Sequence, residues 1–149
     1  MNKVNPTTCV ATSNQKIEIP DNKGRNIVLY FYPKDDTPGC TIEGNDFSKL
    51  NESFSKKNTV IYGVSRDSIS SHEKFKQKFN YTIDLISDED ESLCNQFDVI
   101  KLKKLYGKEH LGIVRSTFVI SPSGDILKYW DKVKVAGHAE EVLQFVSGL

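Results

Sequence analysis

Two apolar runs, NIVLYFYP at 26–33 and NTVIYGVS at 58–65, constrain this chain more than any other feature. Both are continuously hydrophobic, the pattern of a strand buried on both faces, and proline stops the first. Between them, GCTIEGNDFSKLNESFSK is polar except at Phe47, Leu50 and Phe54, whose three- and four-residue steps lay one apolar stripe along a helix. A strand, a crossover helix and a second strand in that order require parallel pairing.

The alternation continues. SISSHEKFKQKFN at 68–80 carries Phe75 and Phe79 one helical turn apart and leads into the strand-like TIDLIS. SDEDESLCNQF at 87–97 reads as a third helix, opened by acidic residues that suit the positive end of its dipole. GIVRSTFVIS at 112–121 is rich in β-branched residues, and with the turn SPSG and DILKYWDKV it forms an antiparallel hairpin. A last helix from His138 turns Val142, Phe145 and Val146 inward. KLKK at 101–104 reads as a solvated loop or helix end, and the N-terminal segment holding Cys9 as a mobile stretch. These patterns predict an α/β protein with a central mixed β-sheet flanked by helices, and residues 1–149 suffice for one domain.

Composition narrows the function. Twenty basic residues balance twenty acidic ones, so nothing favours nucleic acid or an anionic membrane surface. No apolar run reaches the roughly 20 residues of a membrane span, and MNKVNPTTCVATSNQ lacks the apolar core of a secretory signal, which makes the cytoplasm the expected compartment. Three cysteines, Cys9, Cys40 and Cys94, are an odd number without close spacing, unlike a secreted disulfide framework. The histidines His72, His110 and His138 are far apart and no CxxC occurs, so no metal site is expected.

Cys40 stands apart from the other two thiols. Thr37 suits a helix N-cap and Pro38 the first helical position, so Cys40 falls in the first turn, where unpaired N–H groups and the dipole favour an anion. A free cysteine titrates near ~8.5, whereas helix N-termini and basic neighbours bring cysteines to roughly 3.5–7.5. Cys40 shares its helical face with Phe47, Leu50 and Phe54, which turns the sulfur towards the sheet. In TPGC a dithiol site would carry cysteine at both ends; Thr37 takes the first place. A hydroxyl forms no disulfide but hydrogen-bonds a thiolate or a bound oxygen, which shifts the chemistry towards an oxidant.

FYPKDDTPGCTIE resembles the active-site segment of peroxiredoxins, in particular the bacterioferritin comigratory protein or peroxiredoxin Q branch, whose P-x-x-x-T-x-x-C pattern is matched by Pro33, Thr37 and Cys40. GIVRSTFVIS resembles the strand that supplies the family's active-site arginine, which falls on Arg115, and YGVSRDS and VKVAGHAEEVL extend the likeness over nearly the whole chain. The resemblance implies a thioredoxin-like fold and a thioredoxin-dependent peroxidase acting on hydrogen peroxide and organic hydroperoxides without metal, haem or flavin. It assigns Cys40 as the nucleophile that becomes a sulfenic acid, Arg115 and Thr37 as the groups that hold the peroxide, and Pro33 as the shield of the pocket. Glu43, within PGCTxE, is given a local hydrogen-bonding role. A monomer or weak dimer is implied.

The chain departs from that pattern where relatives carry a resolving cysteine five residues on; Asn45 stands there, and SHEKFKQKF has none either. Cys94, beside Leu93 and before Phe97, reads as a small core residue, and Cys9 is the other internal candidate to resolve Cys40. A one-cysteine cycle reduced by thioredoxin, glutaredoxin or glutathione is the expectation. Two alternatives use the same thiol: a peroxide sensor or stress-linked binding protein without turnover, and a thioredoxin-like thiol-disulfide oxidoreductase, for which Cys40 stands at the wrong end of the tetrad.

Overall fold

The computed structural model describes residues 2–149. In chain order the elements are β1 (Thr7–Ala11), β2 (Gln15–Ile19), β3 (Asn26–Phe31), α1 (Pro38–Ser55), β4 (Thr59–Ser65), α2 (Ile69–Phe79), β5 (Asp84–Ser87), α3 (Ser92–Gln96), β6 (Ile100–Leu105), β7 (Lys108–Ile113), β8 (Ser116–Ile120), β9 (Ile126–Trp130) and α4 (His138–Ser147). Seven strands make one sheet in the order β2-β1-β5-β4-β3-β8-β9, while β6 and β7 form a separate two-stranded arm. β3, β4 and β5 are parallel, and antiparallel ladders join the others. The sheet is mixed, with the strand–helix–strand unit of residues 26–65 at its centre.

Alternate residues of β3 point to opposite faces and so divide the interior in two. Ile27, Leu29 and Phe31 pack with Leu93 and Cys94 of α3. Val28 and Tyr30 pack on the other face with Phe47 and Phe54 of α1, Phe75 of α2 and Val142 of α4. Phe47 and Phe54 are fully buried, and burial contributes roughly 1.5–3 kcal/mol for each such side chain. Two such anchors further along α1 hold its first turn, and with it Cys40, against the sheet.

Four segments differ from the sequence reading. The N-terminal stretch is a β1–β2 hairpin, not a mobile tail, and Val10 and Ala11 extend the sheet by pairing with Ser87 and Ile86. KLKK lies within β6, paired along its length with β7; a hairpin partner supplies the hydrogen bonds that its polar composition concealed. The third helix shrinks to Ser92–Gln96 because Asp88 turns back to accept from the N–H groups of Leu93 (3.0 Å) and Cys94 (2.8 Å), which caps the helix from five residues upstream. GIVRSTFVIS is divided between β7 and β8, and Val114 and Arg115 form the step from the arm to the sheet. No helix among the described residues is long and apolar enough to cross a membrane.

Candidate active site

At the head of α1 Thr37 is the extended residue before the helix and Pro38 follows. The first helical bond runs from Thr41 N–H to Thr37 C=O, 2.9 Å, so the N–H groups of Gly39 and Cys40 have no acceptor within the helix. Cys40, in the same turn, is 2% exposed. The side-chain cap expected of Thr37 is not made. Its hydroxyl donates to the Lys34 carbonyl at 2.9 Å, because Asp36, at φ 57°, folds the loop back on itself. The Thr37 oxygen keeps its lone pairs for another donor, and Pro33 sits half-buried in the same loop.

Arg115 reaches this helix end from the step between β7 and β8. Its Nη2 lies 3.2 Å from Cys40 Sγ and its Nη1 lies 2.8 Å from Glu43 Oε1. Cys40 and Glu43 are three residues apart on one side of α1, so a single planar fork spans both. Burial pulls the Arg115 pKa down, but its interactions with Cys40 and Glu43 outweigh that and the guanidinium is held more firmly charged. Glu43 is 2% exposed; burial pushes its carboxyl up to about 7, with Arg115 opposing the shift and Asp46 adding to it.

Gly39 makes this approach possible, because a Cβ at that position would stand 2.8 Å from Arg115 Nη2. Gly39→Ala is expected to move the guanidinium off the sulfur and slow peroxide consumption on the order of tenfold or more, with little change in the melting temperature. A variant melting several degrees lower with unchanged turnover would contradict this.

The loop before α1 is fastened from below by a network that the sequence did not reveal. Asp35 accepts from Tyr32 Oη (2.6 Å) and Ser71 Oγ (2.7 Å), and its carboxylate lies 2.7 Å from His72 Nδ1. His72 Nε2 donates to the Ile86 carbonyl at 2.9 Å, which orients the ring. The Asp35 N–H donates to Asp67 at 3.0 Å. Asp35, Asp67 and His72 also form the one close group of metal-ligand side chains among the described residues, and both Asp35 oxygens and both His72 nitrogens are engaged in these internal bonds. No sequence signal pairs Asp35 with a histidine 37 residues later.

The structure brings Cys40, Arg115 and the Pro33–Thr37 loop together and leaves Cys9 and Cys94 elsewhere. All three thiols are free. Cys40 belongs to the interior beneath α1; Cys94 belongs to the opposite face and Cys9 packs against that same face. The central sheet separates them from Cys40. Burial and the nearby Asp88 and Asp90 push the Cys9 thiol up to about 12, and burial with Asp88 raises Cys94 further still, so neither is a ready nucleophile.

Residues 2–129 match the AhpC/TSA family. Peroxiredoxin Bcp of Xanthomonas campestris pv. campestris is 57% identical over 120 residues, which are 80% of this chain and 75% of that one. The solved structure of the bacterioferritin comigratory protein of Xanthomonas campestris, from work on its alkyl peroxide reduction activity, superposes with a TM-score of 0.90 at 47% identity, covering 95% of this chain and 90% of that one. A cysteine-to-serine mutant of PrxQ from Xylella fastidiosa superposes with a TM-score of 0.92 at 41% identity, covering 99% and 96%. A mixed sheet with helices on both faces that superposes on these proteins is the thioredoxin-like fold. With a buried thiol at a helix N-terminus under an arginine, and with these relatives, the chain belongs to the AhpC/TSA family, within its Bcp or peroxiredoxin Q peroxiredoxins, and is a thiol peroxidase.

Proposed function

We propose that Cys40 reduces hydrogen peroxide and alkyl hydroperoxides and is then restored by an external thiol. The observation that supports this most is the Arg115 guanidinium 3.2 Å from Cys40 Sγ at the start of α1, where a charged donor meets the helix N-terminus. A relative with alkyl peroxide reduction activity supports extending the substrates to alkyl hydroperoxides.

The thiolate attacks one peroxide oxygen. A sulfur–oxygen bond forms as the oxygen–oxygen bond breaks, the remaining oxygen takes a proton and leaves as water or alcohol, and Cys40 becomes a sulfenic acid. Arg115 stabilises the charge as it passes from sulfur to oxygen. The Thr37 oxygen accepts from the O–H of the peroxide, and Pro33 covers the entrance.

In the second half of the cycle thioredoxin, glutaredoxin or glutathione reduces the sulfenic acid. A disulfide needs Cα atoms within about 7 Å, and both internal candidates lie across the sheet from Cys40. Unpaired thiols suit a reducing compartment such as the cytoplasm, and the protein works as a monomer or weak dimer.

The test is multiple turnover followed by mapping. With thioredoxin and its reductase present, the protein is expected to consume many equivalents of peroxide, and Cys94→Ser to keep most of that rate. A single equivalent would indicate a sensor and reject the enzyme reading. Without reductant, peptide mapping should find oxygen on Cys40; a bond from Cys40 to Cys9 or Cys94 in the monomer would reject the external-thiol cycle.

A further inference from the structure

Glu43 Oε2 is the one buried side-chain oxygen or nitrogen among the described residues that has no hydrogen-bond partner. Oε1 of the same carboxyl accepts from Arg115 Nη1, and the other arm of that guanidinium is engaged with Cys40. Two buried acidic groups therefore share one cation. A second negative charge there would have only Lys103 of β6 as a further cation, and like charges around one site do not both ionise freely. A neutral carboxyl explains the orphaned oxygen better than an ionised one, because a bare carboxylate oxygen left without a donor is the more costly to bury.

We infer that Cys40 and Glu43 hold one proton between them, so that a single negative charge faces Arg115 at each stage: on sulfur, with Glu43 neutral, before reaction, and on Glu43 once Cys40 is a sulfenic acid. This rests on Cys40 being the peroxidatic thiolate. The step balances as follows. Cys40 thiolate, neutral Glu43 and ROOH become Cys40 sulfenic acid, Glu43 carboxylate and ROH. Sulfur gives up two electrons and the peroxide bond receives them; the hydrogen on the attacked oxygen stays in the sulfenic acid, and the proton that completes ROH is balanced by the one Glu43 releases. One negative charge stands on each side.

Glu43 acts through the guanidinium it shares with Cys40 and is a positioning residue. Its neighbours permit the exchange. Asp46 on α1 adds negative charge that favours the protonated carboxyl. Tyr30 of β3 and Tyr81, ahead of β5, face it as phenols that burial keeps neutral. Lys103 of β6 faces Arg115 and adds positive charge at that end. A carboxyl that burial pushes up to about 7 can hold its proton at neutral pH.

Infrared difference spectra between reduced and peroxide-treated protein, recorded just below neutrality, test this directly. The wild type should lose a protonated-carboxyl C=O band on oxidation and gain carboxylate bands; Glu43→Gln, which keeps an oxygen for Arg115 Nη1, should show neither. The variant should turn over within about tenfold of wild type, and its rate should lack the inflection expected of the wild type near neutral pH. Absence of the band in the reduced wild type, or its survival after oxidation, would overturn the inference. Either result alongside normal Cys40-dependent turnover would leave the peroxidase reading standing, whereas oxidation away from Cys40 would remove that reading itself.

Discussion

Peroxide turnover in a Cys40→Ser variant is expected to fall by at least about 10³-fold, with near-ultraviolet circular dichroism unchanged. The serine oxygen occupies nearly the same volume and can still accept from Arg115 Nη2, the present donor to sulfur, so α1 keeps its place on the sheet. A hydroxyl, however, does not ionise in this range and does not form the sulfenic acid on which the cycle depends. Residual activity from the other two thiols should be negligible, since burial and neighbouring carboxylates raise both and neither shares a face of the sheet with Cys40. Wild-type rates in the variant, measured as peroxide consumed with reductant in excess, would reject Cys40 as the nucleophile.

Arg115→Ala should have the second largest effect, on catalysis and stability together. Loss of one charged donor aimed at reacting atoms costs on the order of 10²–10³ in rate. Removing Arg115 also leaves the Glu43 carboxyl, itself 2% exposed, without its donor, which costs about 1–3 kcal/mol. The sign of the pH dependence follows from the cause. Arg115 lowers the Glu43 carboxyl against the pull of burial, so without it the folded protein holds the Glu43 proton to higher pH. Above about 7, where the wild-type carboxyl ionises, the folded variant then binds more protons than the folded wild type, and its stability deficit grows as pH rises. Urea unfolding at several pH values measures this. A deficit that shrinks towards alkaline pH would show that Glu43 is not the group left unpaired. Arg115→Lys should restore stability better than rate, because a single ammonium cannot span both Cys40 and Glu43 as the planar fork does.

Much of this protein could be read from local pattern. The continuous apolar run of β3 has the burial expected of a strand packed on both faces, and the stripe through Phe47 and Phe54 lies against the sheet. Segments whose partners are remote were misread. The β1–β2 hairpin alternates exposed and buried residues over only five positions per strand, too few to stand out among polar residues, and the lysines of β6 concealed a strand whose hydrogen bonds come from β7. The length of α3 depended on where the Asp88 carboxylate turned, which helical periodicity does not report.

At the site, capping and chain order determined that a cysteine would stand in the first turn of α1, because the residues that set it there, Thr37, Pro38 and Gly39, are its immediate neighbours. Family likeness pointed to Arg115. Only the tertiary structure decided that this guanidinium, 75 residues away in sequence, holds Cys40 and Glu43 in one fork, that Asp35 and His72 fasten the loop beneath it, and that the sheet stands between Cys40 and the remaining thiols. The reason is range: periodicity, caps and turns act over a few residues, whereas contacts across a folded sheet depend on strand order, which no short stretch of sequence contains.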